Sequence, residues 1–454
     1  MFIFKNKKKV SIKKFKNIRF LKSNLIGEIE APADKSISQR ALLIALLCAG
    51  TSKISNILDS EDVYYTLQAI KALGAKITIK GKEIIVNGVG IGNFISPEKP
   101  IYMGNSGTGT RLLMGVLAGS NATATLYGDK SLTSRPMERI TIPLTKMGAC
   151  FFSRDGKRLP ITVIGARNKG FVFPITYNLP VASAQVKSSI LFASLSARGE
   201  TVIKEKTETR NNTELMLSDC GVDIKTKKTS TNGNLIKIKN NKNYLDAQDF
   251  SIPGDPSSAA FIIVAALITE KSSVLVRNVY YDKFRLKIFD ILMKMGGKIK
   301  ISKISEGKKC EIRAKSSQLS NISISKKYAS ALIDEYPILS VAAAFGKGKM
   351  IFAGLNELKY KESNRYKAIH DGLRECGVKV TYFSNGLKIE GSKKIQGGCL
   401  INANNDHRIA MAFNVLSLIS EKPIKVIGNE AITSSFPSFF KTFENLGAIK
   451  ASYD

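Results

Sequence analysis

Cations and hydroxyl side chains gather in short clusters that stand just before apolar stretches. The first cluster is Asp34-Lys-Ser-Ile-Ser-Gln-Arg40, which runs into the apolar residues 41–47. That pattern predicts a buried helix, with Ser36 as a candidate N-cap. Free N–H groups and the helix dipole favour negative charge at a helix N-terminus, so Lys35, Ser36 and Arg40 could converge on an anion. The alternative is an ordinary cap with two solvated cations.

A Gly-rich turn, Asn105-Ser-Gly-Thr-Gly-Thr-Arg111, also precedes an apolar stretch. Its glycines let backbone N–H groups approach an anion closely. The turn has neither the Gly-Lys-Ser/Thr of a P-loop nor the dinucleotide-binding fingerprint, and a plain tight turn is the alternative interpretation. Polar and charged residues recur in five later clusters: Arg135-Pro-Met137, Ser183-Ala-Gln185, Asp334-Glu-Tyr-Pro337, Lys361-Glu-Ser-Asn-Arg365 and Asp406-His-Arg408.

Together the clusters offer several cations around two or three acids. Such a set suits one or two phosphorylated or carboxylated small substrates, with acid–base chemistry between them. Simpler interpretations exist for single members. Glu362 and Arg365 are three residues apart and could form an exposed ion pair on a helix. Asp334 precedes an apolar stretch and could be a helix cap.

The elements that must position these clusters repeat six times along the chain. Six short segments centred on a glycine each follow a stretch with helical apolar spacing, and a Gly just past a helix end is the expected C′ residue. Each of these glycines lies 38 to 43 residues after a polar cluster that opens another apolar helix. Regular spacing of this kind indicates internal repetition. The six segments are Leu73-Gly-Ala75, Met147-Gly-Ala149, Cys220-Gly-Val222, Met295-Gly-Gly297, Cys376-Gly-Val378 and Leu446-Gly-Ala448.

The repeats predict an α/β (α+β) fold of two similar domains with three units each. The polar stretch 240–255 is the expected boundary, which gives a first domain over 34–247 and a second over 18–33 plus 248–454. A strand over 24–32 would precede the first domain and pair in the second. Residues 1–17 read as a basic disordered lead, because the first 20 residues carry eight positive charges and no acid. The active site is expected in the cleft between the domains.

The composition sets limits on partners. The chain of 454 residues has 69 Lys+Arg against 37 Asp+Glu, a net charge of +32, and basic chains often bind nucleic acid or acidic ligands. Lysines are scattered through nearly every segment, so solvated surface explains much of the excess. With two His, six Cys and no Cys-x-x-Cys, a zinc site is not expected. The longest apolar run is about half a membrane span. These features predict a cytoplasmic protein with no metal, membrane or nucleic-acid partner.

With these motifs in this order, the chain resembles the enolpyruvyl transferase superfamily and, within it, the 5-enolpyruvylshikimate-3-phosphate synthase family. The matching motifs run from about Leu25 to Phe440 and also include Pro253-Gly-Asp-Pro-Ser-Ser258 and Ser435-Phe-Pro437. The resemblance implies two domains of three βαββαβ units each, with buried parallel helices in an inside-out α/β barrel. It also implies a reaction in which the 5-hydroxyl of shikimate 3-phosphate attacks C2 of phosphoenolpyruvate. C3 gains a proton, and the tetrahedral intermediate then eliminates phosphate.

The resemblance also assigns roles to individual residues. No metal or organic cofactor is implied, the two substrates are the expected partners, and a monomer is expected. Glu362 would handle the C3 proton and Asp334 the hydroxyl proton, with Lys35 touching both substrates. Shikimate 3-phosphate would be bound by Lys35, Ser36, Arg40, Ser183, Ala184, Gln185, Arg210, Asp334 and Lys361. Phosphoenolpyruvate would be bound by Lys35, Gly107, Arg135, Gln185, Arg365 and Arg408.

Two departures from the family pattern stand out. Ser434 occupies a place where many members carry Lys, and Glu357 stands where some have Asn. Two other functions remain as alternatives. UDP-N-acetylglucosamine enolpyruvyl transferases have Lys-Asn where this chain has Lys35-Ser36, and a reactive Cys where this chain has Lys130. Both differences argue against that activity. An RNA-binding or RNA-end-processing protein on a related repeat fold would account for the net charge, and its affinity would fall steeply with salt.

Overall fold

The structure is a computed structural model that describes residues 17–81, 83–230, 233–242, 244–304 and 308–453. Most of the basic lead expected over 1–17 lies outside the described residues. The described chain divides into two units, one formed by Lys35–Ile252 and the other by residues 17–34 together with the described part of Pro253–Asp454. The sequence placed these boundaries at residues 34 and 247.

Two strands precede the first unit, β1 (Ile18–Phe20) and β2 (Ile26–Glu30). The first unit then follows in chain order. Its strands are β3 (Cys48–Ala49), β4 (Thr51–Ser55), β5 (Lys76–Lys80), β6 (Glu83–Asn87), β7 (Ile101–Tyr102), β8 (Thr123–Tyr127), β9 (Cys150–Ser153), β10 (Ile161–Ile164), β11 (Thr176–Asn178), β12 (Thr201–Glu205), β13 (Asp223–Lys228), β14 (Asn234–Lys239), β15 (Leu245–Asp246) and β16 (Phe250–Ser251). Its helices are α1 (Lys35–Leu47), α2 (Glu61–Ala72), α3 (Gly107–Ala118), α4 (Lys130–Ser134), α5 (Glu138–Lys146), α6 (Ala184–Ser194) and α7 (Asn212–Asp219).

The second unit continues with the remaining elements. Its strands are β17 (Ser273–Tyr280), β18 (Lys298–Lys303), β19 (Lys309–Lys315), β20 (Ser323–Ile324), β21 (Lys349–Ala353), β22 (Lys379–Phe383), β23 (Gly386–Glu390), β24 (Leu400–Asn402), β25 (Lys425–Ile427) and β26 (Lys450–Ser452). Its helices are α8 (Pro256–Ile268), α9 (Lys287–Lys294), α10 (Ala329–Leu332), α11 (Tyr336–Phe345), α12 (Arg365–Glu375), α13 (His407–Ser417) and α14 (Phe439–Asn445). In the described residues, short 3₁₀ turns lie at Ala166–Lys169, Lys326–Tyr328, Asn356–Tyr360 and Asn429–Ser434.

One sheet topology recurs in both units. Each such sheet has a parallel edge pair followed by two antiparallel strands. The first unit contains the orders β16-β4-β6-β5, β7-β8-β10-β9 and β11-β12-β14-β13, and the second contains β2-β17-β19-β18 and β20-β21-β23-β22. In the sixth repeat, the described residues retain the parallel pair β24-β25. The internal repetition predicted from the glycine spacing is therefore visible as repeated strand order.

Two edge strands come from distant parts of the chain. Strand β2 pairs in parallel with β17, from Ile26 opposite Ser273 to Glu30 opposite Arg277. A strand of the second unit thus precedes the whole first unit in sequence, as the pattern over 24–32 indicated. In the first unit, β16 pairs in parallel with β4, so the last strand of that unit completes the sheet of its first repeat.

The first helix of each repeat is buried along most of its length. Helix α8 shows this most fully, since all thirteen of its residues are buried. Its start is set by local chemistry. Pro256 needs no hydrogen-bond partner for its nitrogen at the first helical position, and the Asp255 carboxylate accepts from the Ser257 N–H at 3.0 Å. The corresponding helices of the other repeats are α1, α3, α6, α11 and α13.

The second helix of each repeat ends where the sequence predicted. The glycine that follows each of these helices has a backbone angle φ between 81° and 111°, in the left-handed region that glycine adopts without strain. The six glycines are Gly74, Gly148, Gly221, Gly296, Gly377 and Gly447. This part of the prediction is confirmed at every repeat.

The predicted N-cap at Ser36 is wrong. Helix α1 begins at Lys35, so Ser36 already lies inside its first turn and the capping position falls to Asp34. The reason is tertiary, because the Asp34 N–H donates to the Pro253 carbonyl at 2.8 Å and fixes the chain one residue before the helix. None of the described helices is both long and apolar enough to cross a membrane.

Candidate active site

Lys35, the first residue of α1, is a cation of the first unit that is held by an ion pair. Its Nζ donates to Asp62 Oδ2 at 2.8 Å, and the two side chains are 14% and 7% exposed. Asp62 lies in the first turn of α2, where a carboxylate is also favoured by the helix dipole. The pair holds the lysine at the N-terminal end of the buried helix α1, with part of its side chain open to solvent.

Gln39 ties the starts of three helices together beneath Lys35. Its Nε2 lies 3.1 Å from the Asp62 carbonyl, 3.0 Å from Thr66 Oγ1 and 2.7 Å from Ser106 Oγ. Ser106 is in turn the N-cap of α3 and accepts from the Gly109 N–H at 3.2 Å. The Gly-rich turn is therefore a helix start fixed to α1 and α2, and not an isolated tight turn.

Arg40 is more deeply buried than a solvated cation, at 4% exposed. Its Nε donates to Thr213 Oγ1 at 2.8 Å and its Nη2 to Ser188 Oγ at 3.1 Å, which links α1 to α7 and α6. Its Nη1 also donates to the Ser36 carbonyl at 3.1 Å. The interpretation of Lys35 and Arg40 as two solvated cations is thus wrong for Arg40, because hydroxyls of two other helices surround its guanidinium.

The second polar cluster opens α6. Ser183 is the N-cap and accepts from the Val186 N–H at 3.4 Å. Ala184 and Gln185 form the first turn, where backbone N–H groups have no partner within the helix. Gln185 bridges to α3, where its Nε2 donates to Thr108 Oγ1 at 2.9 Å and its Oε1 accepts from Arg111 Nη1 at 2.5 Å. A helix start of this kind can bind an anion.

The Gly-rich turn lies directly against Arg135. A Cβ placed on Gly107 would lie 2.7 Å from Arg135 Nη1, closer than real side chains approach. The guanidinium is held by Asn105 Oδ1 and, at 3.0 Å, by Ser131 Oγ. A methyl group at position 107 would therefore require this guanidinium to move. Hydrogen bonds run from Lys35 through Asp62, Gln39 and Ser106 to the turn beside Arg135. We call this network and the neighbouring polar residues the first-unit cluster: Lys35, Gln39, Arg40, Asp62, Ser106, Arg111, Arg135, Ser183 and Gln185.

In the second unit, Arg365 is the centre of a cluster of charges. It is the first residue of α12 and is fully buried. Its Nε donates to Asp406 Oδ2 at 2.8 Å, its Nη1 to Asp334 Oδ1 at 3.2 Å and its Nη2 to Glu362 Oε2 at 2.5 Å. Burial alone would lower the pKa of this guanidinium, but the charges of Asp406, Glu362 and Asp334 raise it. Arg365 therefore remains a cation in the interior.

Asp334 receives cations from several directions and is not a simple helix cap. Lys361 Nζ lies 3.4 Å from Asp334 Oδ1, and Arg408 Nη2 lies 3.9 Å from Asp334 Oδ2. Arg408 also donates to the Asp334 carbonyl at 3.0 Å. The capping residue of α13 is Asp406, which accepts from the Arg408 N–H at 3.0 Å. We call Asp334, Lys361, Glu362, Arg365, Asp406 and Arg408 the second-unit cluster.

The second-unit cluster contains three acids and three cations, so its formal charges balance. Glu362 is 22% exposed and Asp334 is 16% exposed, whereas Arg365 and Asp406 are inaccessible. The interpretation of Glu362 and Arg365 as an exposed ion pair is wrong in one respect, because the arginine is buried. Two carboxylates at the edge of a buried cationic centre can exchange protons with a ligand while the cations bind its negative charge.

Some residues of these clusters were not predicted as site members. Asp62 and Asp406 pair with predicted cations, and Arg111 binds Gln185. Arg111 stands four residues after Gly107, a spacing that places both on one face of α3, so the sequence held a signal for it. Ser434, the position where many family members carry Lys, has its Oγ 3.4 Å from His407 Nδ1. Arg210 is half-buried just before α7.

Among the described residues, no group of three or more His, Cys, Asp or Glu side chains is arranged to hold a metal ion. The acids of both clusters are instead paired with lysine and arginine. Charge balance in these clusters therefore comes from side-chain cations.

Comparison with known proteins identifies the family of the chain. The family model for EPSP synthase (3-phosphoshikimate 1-carboxyvinyltransferase) matches residues 21–443. The chain belongs to the EPSP synthase family. The 3-phosphoshikimate 1-carboxyvinyltransferase of Parvibaculum lavamentivorans is 43% identical over 429 residues, which cover 93% of this chain and 94% of the relative. That of Petrotoga mobilis is 42% identical over 431 residues, covering 94% and 98%.

Solved structures give the same family and fold. The 2.37 Å structure of EPSP synthase from Acinetobacter baumannii is 35% identical, covers 96% of this chain and all of its own, and has a TM-score of 0.82. The enolpyruvyl transferase NikO from Streptomyces tendae, at 15% identity and a TM-score of 0.74, shares the fold. The predictions of an enolpyruvyl transferase of the shikimate pathway and of a mixed α/β fold are confirmed. The two alternative functions are not favoured.

Proposed function

We propose that this member of the EPSP synthase family transfers the enolpyruvyl group of phosphoenolpyruvate to the 5-hydroxyl of shikimate 3-phosphate and releases phosphate. The observation that carries the residue assignment is the second-unit cluster, in which two partly exposed carboxylates flank a buried guanidinium. The reaction joins two anionic substrates and moves two protons. It therefore needs cations to bind the substrates and carboxylates to exchange protons beside them.

The first-unit cluster is the proposed binding region for shikimate 3-phosphate. Ser183, Ala184 and Gln185 offer a helix start for its 3-phosphate, to which Arg210 adds a cation. Lys35, Ser36 and Arg40 at the start of α1 would hold the same substrate. Because three hydrogen bonds hold Arg40, its role is to present a fixed charge rather than to move toward the ligand. From the second unit, Lys361 and Asp334 would meet the hydroxyl side.

Phosphoenolpyruvate is proposed to be bound by cations from both clusters. Arg135 and the backbone at Gly107 contribute from the first unit, with Lys35 and Gln185, whereas Arg365 and Arg408 contribute from the second. Arg365 already has three carboxylate partners. A bound carboxylate or phosphate must therefore share or replace one of them, and Glu362, being the most exposed, is the partner that can be displaced.

Proton transfer is assigned to the two exposed acids. Asp334 would take the proton of the 5-hydroxyl as its oxygen attacks C2. Glu362, protonated from solvent once the ligand replaces it at Arg365, would deliver that proton to C3. In the second step the Glu362 carboxylate would take a proton back from the C3 methyl group of the tetrahedral intermediate while the C2–O bond breaks and phosphate leaves. Lys35 would balance the charge on both substrates. No metal or organic cofactor takes part in this scheme.

Finer features of the fold and the cellular setting are proposed on the same basis. Six repeats, each with a buried first helix and a glycine-terminated second helix, support the inside-out α/β arrangement with parallel buried helices. We propose that the protein acts as a monomer in the cytoplasm, without nucleic-acid or membrane partners. The six cysteines are all free thiols, as is usual in a reducing compartment.

The scheme is tested by running the reaction in D₂O and measuring deuterium at C3 of the enolpyruvyl product. Protonation at C3 makes a methyl group with one deuterium, so part of the product retains it after a proton leaves. The expected result is a product with one added mass unit in the vinyl group. A product without deuterium would show that C3 is never protonated, and would contradict the role of Glu362.

A further inference from the structure

A buried arginine outside both clusters links the two places where the chain passes between the units. Arg285 lies just before α9 and its side chain is 3% exposed. Its Nη1 donates to Asp34 Oδ2 at 2.9 Å, and its Nη2 donates to Asp255 Oδ1 at 2.6 Å and to Ser257 Oγ at 3.2 Å. A buried charge is costly unless it is paired and hydrogen-bonded, and this guanidinium meets two carboxylates and a hydroxyl.

Both carboxylates belong to the chain crossings. The first crossing ends at Asp34, where the second unit gives way to Lys35, and the second begins at Pro253, after Ile252. The crossings are hydrogen-bonded to each other, since the Asp34 N–H donates to the Pro253 carbonyl at 2.8 Å and the Asp255 N–H to the Pro32 carbonyl at 2.7 Å.

Packing between the two crossings is close. A Cβ on Gly254 would lie 2.5 Å from Ala31 Cβ and 2.6 Å from the Asn278 carbonyl oxygen, so only glycine fits there. The Gly254 N–H donates to that same carbonyl at 2.7 Å. Crossings packed this tightly cannot shift separately without breaking backbone hydrogen bonds.

The same network reaches residues next to two proposed catalytic groups. Asp34 directly precedes Lys35 in the chain. Ser257 Oγ, which accepts from Arg285, donates to Glu335, the neighbour of Asp334. Burial, and next the charge of Asp34, raise the pKa of Asp255, while Arg285 and Arg408 act in the opposite direction. The acids at the crossings thus depend on the guanidinium between them.

We propose that Arg285 is a positioning residue that fixes Lys35 and Asp334 by clamping the two chain crossings through Asp34, Asp255 and Ser257. The inference rests on the proposed function of Lys35 and Asp334. Only a planar guanidinium has two donors in a fixed geometry that can bind one carboxylate on each side. Lysine keeps the charge but presents one ammonium group and cannot reproduce that geometry.

The test compares Arg285→Lys and Arg285→Gln with wild type in steady-state phosphate release, at a temperature where urea titration shows each variant fully folded. Displacing reacting groups by about 1 Å can cost roughly 10²-fold in rate. We therefore expect kcat/KM to fall roughly 10- to 100-fold in Arg285→Gln and less in Arg285→Lys. Because Lys35 touches both substrates, the KM of each should change together with kcat.

This split separates positioning from mere folding. A smaller folded fraction would lower the apparent kcat and leave both KM values unchanged. A matched control is Arg277→Gln, which removes an exposed arginine paired with Glu28 and Glu311, and should leave kcat and KM at wild-type values. Wild-type kinetics in Arg285→Gln, a loss confined to kcat, or failure of both Arg285 variants to fold would each overturn the inference. Inactivity of the wild type itself would instead overturn the proposed function.

Discussion

At the residue scale, the role of Glu362 can be tested most sharply, because Glu362 is both the ion-pair partner of Arg365 and the proposed proton donor to C3. Glu362→Gln keeps the shape but removes the titratable proton. We expect kcat to fall by roughly 10²–10⁴, the range for a positioned proton-transfer group. Substrate KM values should stay within a few fold of wild type. Initial rates of phosphate release at varied concentrations of both substrates give kcat and the two KM values.

Glu375→Gln is the control for this substitution, since Glu375 is an exposed residue at the other end of the same helix α12. It should leave turnover unchanged. A near-wild-type kcat in Glu362→Gln would mean that the residue serves only as an ion-pair acid for Arg365.

Gly107 tests a different kind of contact, the close approach of backbone to Arg135. In Gly107→Ala the added methyl group would lie 2.7 Å from Arg135 Nη1 and must push the guanidinium aside. A change of one methyl-sized group in a packed pocket is worth roughly 1–3 kcal/mol. We expect the KM for phosphoenolpyruvate to rise by about tenfold or more, with little change for shikimate 3-phosphate. An equal rise for both substrates would contradict the assignment of Gly107 and Arg135 to phosphoenolpyruvate.

At the element scale, a buried charge triad joins α6, β12 and α7 beneath the proposed phosphate-binding helix start. Lys187 Nζ lies 3.2 Å from Glu205 Oε2 and 2.7 Å from Glu214 Oε1, and the lysine is 1% exposed. Lys187→Met would leave two buried carboxylates without their cation. The free energy of unfolding should fall by roughly 3–5 kcal/mol, as when a buried pair loses one partner.

Urea titration followed by circular dichroism measures the change. The matched control is Lys237→Met, because Lys237 pairs with Glu200 on the surface with both side chains more than 40% exposed. Exposed pairs contribute little, so its unfolding free energy should stay close to wild type. A Lys187 variant as stable as this control would show that the triad is not a structural requirement of the unit.

How far the sequence predicted these elements depended on whether the signal was local. The glycines that end the second helix of each repeat were predicted because a helix stop favours a left-handed residue at one position, as at Gly74 and Gly377. The sequence placed the unit boundary at residue 247, whereas the first unit extends to Ile252. The extension follows from the pairing of β16 with β4, in which Phe250 lies opposite Ile54. No sequence pattern near residue 250 predicts that this strand pairs with one almost 200 residues earlier in the chain.

The same distinction applies to the candidate site. Motifs at helix starts pointed to Lys35, Gln185 and Arg365, since capping residues and charge cluster within a few positions of each other. Asp62 and Arg285 were missed because their roles arise from tertiary contacts, with Lys35 in the first case and with Asp34 and Asp255 in the second. Asp62 lies in ordinary helical sequence, and Arg285 lies in the turn between β17 and α9.

At the scale of the whole molecule, the net charge of +32 bears on how two anionic substrates reach the enzyme. A strongly positive protein raises the local concentration of anions, and salt screens this effect over a Debye length of about 30 Å at 0.01 M and 8 Å at 0.15 M. Raising the ionic strength over that range should therefore increase both KM values and leave kcat nearly constant. Adding sucrose, which is neutral, controls for solute effects. KM values that do not respond to salt would indicate that the charge serves another purpose.

The central claim is that shikimate 3-phosphate is the acceptor of the enolpyruvyl group. The most direct measurement mixes purified wild-type protein with phosphoenolpyruvate and follows phosphate release in three parallel reactions. One contains shikimate 3-phosphate, one contains UDP-N-acetylglucosamine, and one contains no acceptor. We predict release only with shikimate 3-phosphate, matched mole for mole by a product that carries the added enolpyruvyl mass. Release with UDP-N-acetylglucosamine at a comparable rate, or no release with shikimate 3-phosphate, would contradict the account.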